Sequence, residues 1–354
     1  MESIRTLTDP PRPFSPHPAT DHVVFILTPN EKRLFFAAEP KIRRPGVRAS
    51  SLDAAGLSPR AWENALRDLR PSVLVTAWSC PPLPESWALA EDCPLRYVCS
   101  VTGSVKDRVP REMLVNGLLV SNWGVLVSPT VAEHALLMVL SLLRSAPSWP
   151  ELLQRPRHAV EMMEVLRSRT LRGKRVGLHG FGAVARALVE MLRPFDVELA
   201  AYSHGVPRAL MDEFGVRPCR DLAELFSHSE ILIECEGLND RTRGTVTESL
   251  LRRLPRDAVF VNVGRAAVVD ETALVTLARE RHLRIGLDVF HREPLPGDTP
   301  LRELPNVLLS PHVAGPVGET YPLCGAQALE NLERYLNGEA PENQVTLEIY
   351  DRAT

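Results

Sequence analysis

The stretch RVGLHGFGAVARALVEML, residues 175–192, decides how the chain is read. Arg175 to His179 reads as a strand, a glycine-rich turn follows, and a helical segment begins after it. Gly180, Gly182 and Ala185 have the spacing Gly-x-Gly-x-x-Ala. In a strand–turn–helix unit the first glycine allows the tight turn and the second lets backbone approach a pyrophosphate. The third position needs only a small side chain for helix–strand packing. The helix N-terminus adds unpaired N–H groups and the positive end of its dipole. The backbone of Gly180, Phe181, Gly182, Ala183 and Val184 is therefore a candidate dinucleotide site. The turn alone also suits other nucleotides, S-adenosylmethionine among them, so the downstream sequence has to discriminate.

On either side of this unit, strand and helix alternate. Strands are expected at His22–Thr28, Ser72–Trp78, Leu95–Gly103 and Gly117–Asn122, with a helix at Pro59–Leu69. A long apolar helix follows in SPTVAEHALLMVLSLLR, where Thr130 and Glu133 have capping-box spacing. Residues 146–172 are proline-interrupted and read as a connector. A second alternation has strands at Arg175–His179, Val197–Tyr202, Ile231–Glu234, Ala258–Val261, Arg284–Leu287 and Val307–Leu309, and a last helix that ends at Gly338. This pattern predicts an α/β protein built on parallel sheets.

Three side chains give the second alternation its chemistry. Arg265 comes just past one strand, Glu293 shortly after the next, and His312 after the last, held by Pro311. The C-terminal edge of an open parallel sheet is its ligand crevice. Reduction of a 2-oxo acid needs a hydride on the carbonyl carbon, a proton on its oxygen and a grip on the carboxylate. The arginine fork suits the grip, histidine suits the proton transfer, and a carboxylate on the far ring nitrogen fixes the tautomer. A methyltransferase reading explains none of the three.

With "VAEHAL", "LRGKRVGLHGFGAVA", "VNVGRAAVVDE", "LDVFHREPLP" and "LLSPHVAG", the chain resembles the D-2-hydroxyacid dehydrogenases, the D-isomer-specific group that includes phosphoglycerate, glyoxylate and hydroxypyruvate reductases. The resemblance implies two Rossmann-like, doubly wound parallel-sheet domains with a cleft between them. It implies a discontinuous substrate domain (21–129 plus 317–354) and a dinucleotide-binding domain (130–316); ahead of them, the prolines and polar residues of 1–20 read as a flexible tail. It implies that Arg265 binds substrate, that Glu293 pairs with His312, and that His312 is the acid/base. Asp288 would hold the nicotinamide carboxamide, Val263 and Gly264 would line the cofactor site, and the backbone of Gly103, Ser104 and Val105 would meet the substrate carboxylate. The family generally dimerises, and the helix from Val131 would contribute. Departures are Ala266 after the arginine, Ala183 in the phosphate loop, "GSVKD" in the substrate loop, and Cys235 and Gly237 in place of a histidine and a proline. Trp78, Trp123 and Lys106 are candidates for an unusual pocket, with packing as the alternative for the tryptophans.

The stretch LAAYSHGV, residues 199–206, bears on the choice of cofactor. An acidic residue at this strand end would bond the ribose of NAD and repel the extra phosphate of NADP. Ser203 stands there instead, followed by His204 and Arg208, which together favour NADP over NAD. The bulk numbers set outer limits. A net charge of -3 implies no attraction to nucleic acid or membrane. The six cysteines form no CxxC pair, which argues for free thiols in a reducing cytoplasm and against a metal site. The expected protein is a cytoplasmic homodimer, an NAD(P)-dependent reductase of a small 2-oxo acid such as glyoxylate or hydroxypyruvate. The alternative is a dinucleotide-sensing, corepressor-like binding protein of the same fold.

Overall fold

The computed structural model describes residues 21–42, 44–154 and 158–352, so the expected tail over 1–20 lies outside the described residues. Two compact units are present. One runs to Leu126 and resumes at Gly318, and the other is Val127–Val317.

The first unit holds a five-stranded sheet of β1 (Asp21–Ile26), β2 (Val47–Leu52), β3 (Val73–Thr76), β4 (Tyr97–Ser100) and β5 (Leu119–Ser121), in the order β2-β1-β3-β4-β5. Every pairing is parallel. β1, β3 and β4 are buried along their whole length, which explains their apolar runs. β2 was not expected from the sequence. It is an edge strand, half-exposed, and its VRASSL carries no apolar run. A capping box does occur here, between Thr28 and Glu31 at the start of the helix Pro29–Phe35.

The second unit holds β6 (Arg175–His179), β7 (Glu198–Tyr202), β8 (Arg217–Pro218), β9 (Ile231–Glu234), β10 (Ala258–Asn262), β11 (Leu283–Leu287) and β12 (Val307–Leu309). Their order is β12-β11-β10-β9-β6-β7-β8, all parallel. The chain runs outward from β6 to β7 and then returns to β9 on the other side. That reversal makes a switch-point crevice at the carboxyl ends of β6 and β9. Register brings Tyr202, His179, Glu234, Asn262, Leu287 and Leu309 into one row at this edge. Residues 146–172, expected as a connector, contain helices Trp149–Gln154 and Ala159–Leu166.

The apolar helix spans Ser128–Leu143, and the capping box expected at Thr130 and Glu133 is absent. Pro129 takes an early helical position, so Thr130 already lies in the first turn. Its hydroxyl donates to the carbonyls of Val127 (2.8 Å) and Gly315 (2.9 Å). At the other end of the helix, Arg284 of β11 is buried and satisfies exposed carbonyls. Its Nη1 donates to Leu142 O at 2.9 Å and Ser145 Oγ at 2.8 Å, its Nη2 donates to Arg167 O at 3.0 Å, and its fork meets Asp257 at 2.8 and 3.0 Å. A guanidinium suits this place because a helix C-terminus presents unpaired carbonyls and partial negative charge. Arg284→Met strips all of these acceptors and is expected to cost about 3 kcal/mol, read as a lowered urea midpoint against the parent.

Candidate active site

At the glycine turn, Gly180 has φ +92, and a Cβ there would lie 2.7 Å from both Cα and N of Glu236. Gly182 is the N-cap of the helix Ala183–Leu192 and has no side-chain cap bond. A Cβ on Gly182 would meet nothing within 4 Å, so the backbone there faces open space. Phe181 is buried edge-on against Phe214, and Ala185 is fully buried against the sheet. Unpaired helix N–H groups beside an open glycine fit a pyrophosphate.

The row of strand ends continues into the candidate catalytic residues. Gly264 N donates to Asn262 Oδ1 at 3.0 Å, and a Cβ on Gly264 would lie 2.9 Å from Glu236 O. Arg265 follows in extended conformation, half-buried, with Nη1 on the carbonyl of Gly264 at 2.9 Å. Past β12, His312 Nδ1 meets Glu293 Oε2 at 2.7 Å. The other oxygen of Glu293 accepts the N–H of Phe290 at 3.0 Å, which orients the carboxylate. Both side chains are exposed, and His312 sits at φ +54, in the left-handed region. The structure thus joins Glu293 to His312 and sets Arg265 two strand ends from the histidine.

Asp288 is 1% exposed and has well-defined protein partners. It accepts from Ser310 Oγ (2.6 Å), Val313 N (2.9 Å) and Ala314 N (2.9 Å). His134 Nε2 lies 2.8 Å from Ser310 Oγ and 3.6 Å from Asp288. These bonds shape the loop that carries His312. In the first unit, the carbonyl of Gly103 accepts from Asn122 at 2.6 Å, that of Ser104 accepts from Arg108 at 2.6 Å, and Val105 is buried. A Cβ on Gly103 would strike the Trp123 indole at 2.5 Å. Trp123 packs edge-on to Trp78, which also meets Phe35 and Tyr321. Lys106 donates to Asp351 O at 3.3 Å and lies over the Tyr350 ring.

Just past β7, Ser203 is buried and its hydroxyl donates to Glu236 Oε2 at 2.8 Å. His204 Nε2 is 2.9 Å from Arg241 Nη1, and Arg208 donates to Pro218 O at 3.2 Å; all three side chains are exposed. Sequence reasoning missed a polar network beneath this point. His179 and Glu234 are register partners at the ends of β6 and β9, both buried, with Nδ1 to Oε2 at 2.5 Å. Glu234 Oε1 accepts the N–H of Glu236 at 2.9 Å. The available signal was charge at the end of the apolar run ILIE, where a fully buried strand is normally apolar. Between them, Cys235 lies 3.7 Å from Gly180 O, and burial, with Glu234 and Glu236, pushes its thiol far above the usual range.

Burial alone would lower the His179 pKa, but the charge and hydrogen bond of Glu234 outweigh it and the net shift is upward. A raised value means that its stabilisation is complete below the ordinary histidine value of 6.5 and is lost as pH rises through the raised one. The Tm difference between the parent and a His179→Ile/Glu234→Leu double variant is therefore expected to move against the parent as pH rises. Glu234→Leu alone leaves the histidine buried without its partner and is expected to cost about 3 kcal/mol.

Residues 136–314 match the NAD binding domain of the D-isomer specific 2-hydroxyacid dehydrogenases. A glyoxylate reductase of Aeropyrum pernix is 32% identical over 242 residues, which cover 66% of this chain and 71% of that one. A glyoxylate/hydroxypyruvate reductase B of Pectobacterium carotovorum is 33% identical over 50% of this chain and 55% of its own length. The crystal structure of a glyoxylate reductase from Paecilomyes thermophila has the same fold, with a TM-score of 0.75 at 21% identity over 92% of this chain and 98% of that one. On the domain match and the relatives together, the chain belongs to the D-isomer-specific 2-hydroxyacid dehydrogenase family.

Proposed function

We propose that His312 is the general acid of a small 2-oxo acid reductase, that Glu293 orients it and that Arg265 anchors the substrate. The chain is an NAD(P)-dependent oxidoreductase that interconverts a 2-oxo acid and its D-2-hydroxy acid. The observation that carries the residue roles is the 2.7 Å contact between His312 Nδ1 and Glu293 Oε2. With Nδ1 engaged, Nε2 is the atom that gives its proton to the carbonyl oxygen, and the carboxylate stabilises the imidazolium beforehand. Arg265, at the next strand end but one, offers its fork to the substrate carboxylate. When bound, the nicotinamide dinucleotide supplies the hydride. Gly180, Phe181, Gly182, Ala183 and Val184 would hold its pyrophosphate, with Val263 and Gly264 beside them. The first unit is proposed as the substrate domain, through the backbone of Gly103, Ser104 and Val105.

Glyoxylate or hydroxypyruvate is the proposed substrate, because relatives at 32% and 33% identity are named for them. The oriented histidine–carboxylate pair favours turnover over a purely cofactor-sensing role. Oxidation of reduced cofactor with each substrate tests this. His312→Ala is expected to lose about 100-fold or more in kcat, and Arg265→Ala to raise KM as well as lower kcat. Parent-like turnover in His312→Ala would sink the assignment.

A second copy of the chain is the proposed partner. Support comes from apolar side chains left in solvent on and after the long helix, namely Leu137, Trp149, Leu153, Val160 and Met163. Light scattering is expected to give a dimer for the parent and a smaller species for Leu153→Glu/Met163→Glu. A monomeric parent would refute the pairing.

A further inference from the structure

We propose that Glu236 supplies the carboxylate that Ser203 lacks and makes the protein select NAD over NADP. The inference rests on the dinucleotide reading above and reverses the preference expected from Ser203, His204 and Arg208.

Position is the first argument. Ser203 directly follows β7, where a ribose-binding acid is expected. Glu236 comes from beyond β9, two strands away in the order β9-β6-β7, and its carboxylate reaches Ser203 Oγ at 2.8 Å. It thereby lies over the end of β6, beside the phosphate turn.

Its placement is also fixed. The backbone at Glu236 passes so close to Gly180 and Gly264 that a Cβ on either would collide with it. Its N–H is held by Glu234 at 2.9 Å, and its Oε1 accepts the N–H of Gly237 at 3.0 Å. The carboxylate is held in place before any ligand arrives.

Charge decides between the cofactors. A pair of ribose hydroxyls can donate to Glu236, whereas a 2′-phosphate would bring like charge against it. The nearby cations are Arg241, bound to His204, and Arg208, bound to Pro218 O. They lie in solvent, where salt screens them, while Glu236 is half-buried on a buried serine.

The test is direct binding of NADH and NADPH to the full-length protein, followed by quenching of tryptophan fluorescence without substrate. NADH is expected to bind about tenfold tighter or more. Glu236→Gln, nearly isosteric, is expected to weaken NADH, strengthen NADPH and erase most of the ratio. Ser203→Asp added to Glu236→Gln is expected to restore it. Equal or tighter NADPH binding by the parent, or an unchanged ratio in a folded Glu236→Gln, overturns the proposal. Loss of NADPH affinity in Arg241→Ala with NADH untouched, from a parent that prefers NADPH, would assign the site to a phosphate clamp instead. Binding of neither cofactor by the parent would remove the dinucleotide reading itself, and the proposal with it.

Discussion

The carboxylate of Asp288 ties three segments of the second unit to one point. It ends β11, accepts the backbone of Val313 and Ala314 beyond β12, and shares Ser310 with His134 of the long helix. Without it, the N–H groups of Val313 and Ala314 beside His312 would lose their acceptor, the buried one of Ala314 at about 1–3 kcal/mol. That exceeds what a short exposed loop can recover from its own contacts. The histidine and its glutamate stand exposed at the sheet edge on a loop that this buried carboxylate holds from beneath.

A second buried carboxylate has a like role two strands along the same sheet edge. Glu234 holds His179 with one oxygen and the backbone of Glu236 with the other. Two apolar side chains would fill these positions at similar stability. The polar pair adds direction, because an apolar pair cannot accept the N–H of Glu236 or set the angle at which residues 235–237 cross the glycine turn. Stability and specificity separate here, and the pair belongs with specificity.

What the sequence made legible follows from the range of each rule. The glycine turn, the strands around it and the order Arg265, Glu293, His312 could be read because each depends on a few neighbouring residues. Glu236 could not, because its partner Ser203 is 33 residues away and the two meet only through the strand order β9-β6-β7. β2 was missed because an edge strand needs no apolar run. The Thr-x-x-Glu pattern occurs at Thr28 and at Thr130, yet only the first forms a capping box. The difference is Pro129, which moves the start of the second helix ahead of its threonine. Lys106 was a pocket candidate by position alone, and its contacts to the Asp351 carbonyl and the Tyr350 ring depend on the far C-terminal segment.

The left-handed backbone of His312 sets stability against its proposed role. A side chain with a Cβ resists that conformation by about 1 kcal/mol, and glycine or asparagine resists it least. A chain selected only to survive heat would therefore discard the histidine for one of those two. Its presence marks a place where the fold is less stable than its backbone allows, and a search for thermostable variants without an assay for turnover would be drawn to replace the residue proposed as the general acid.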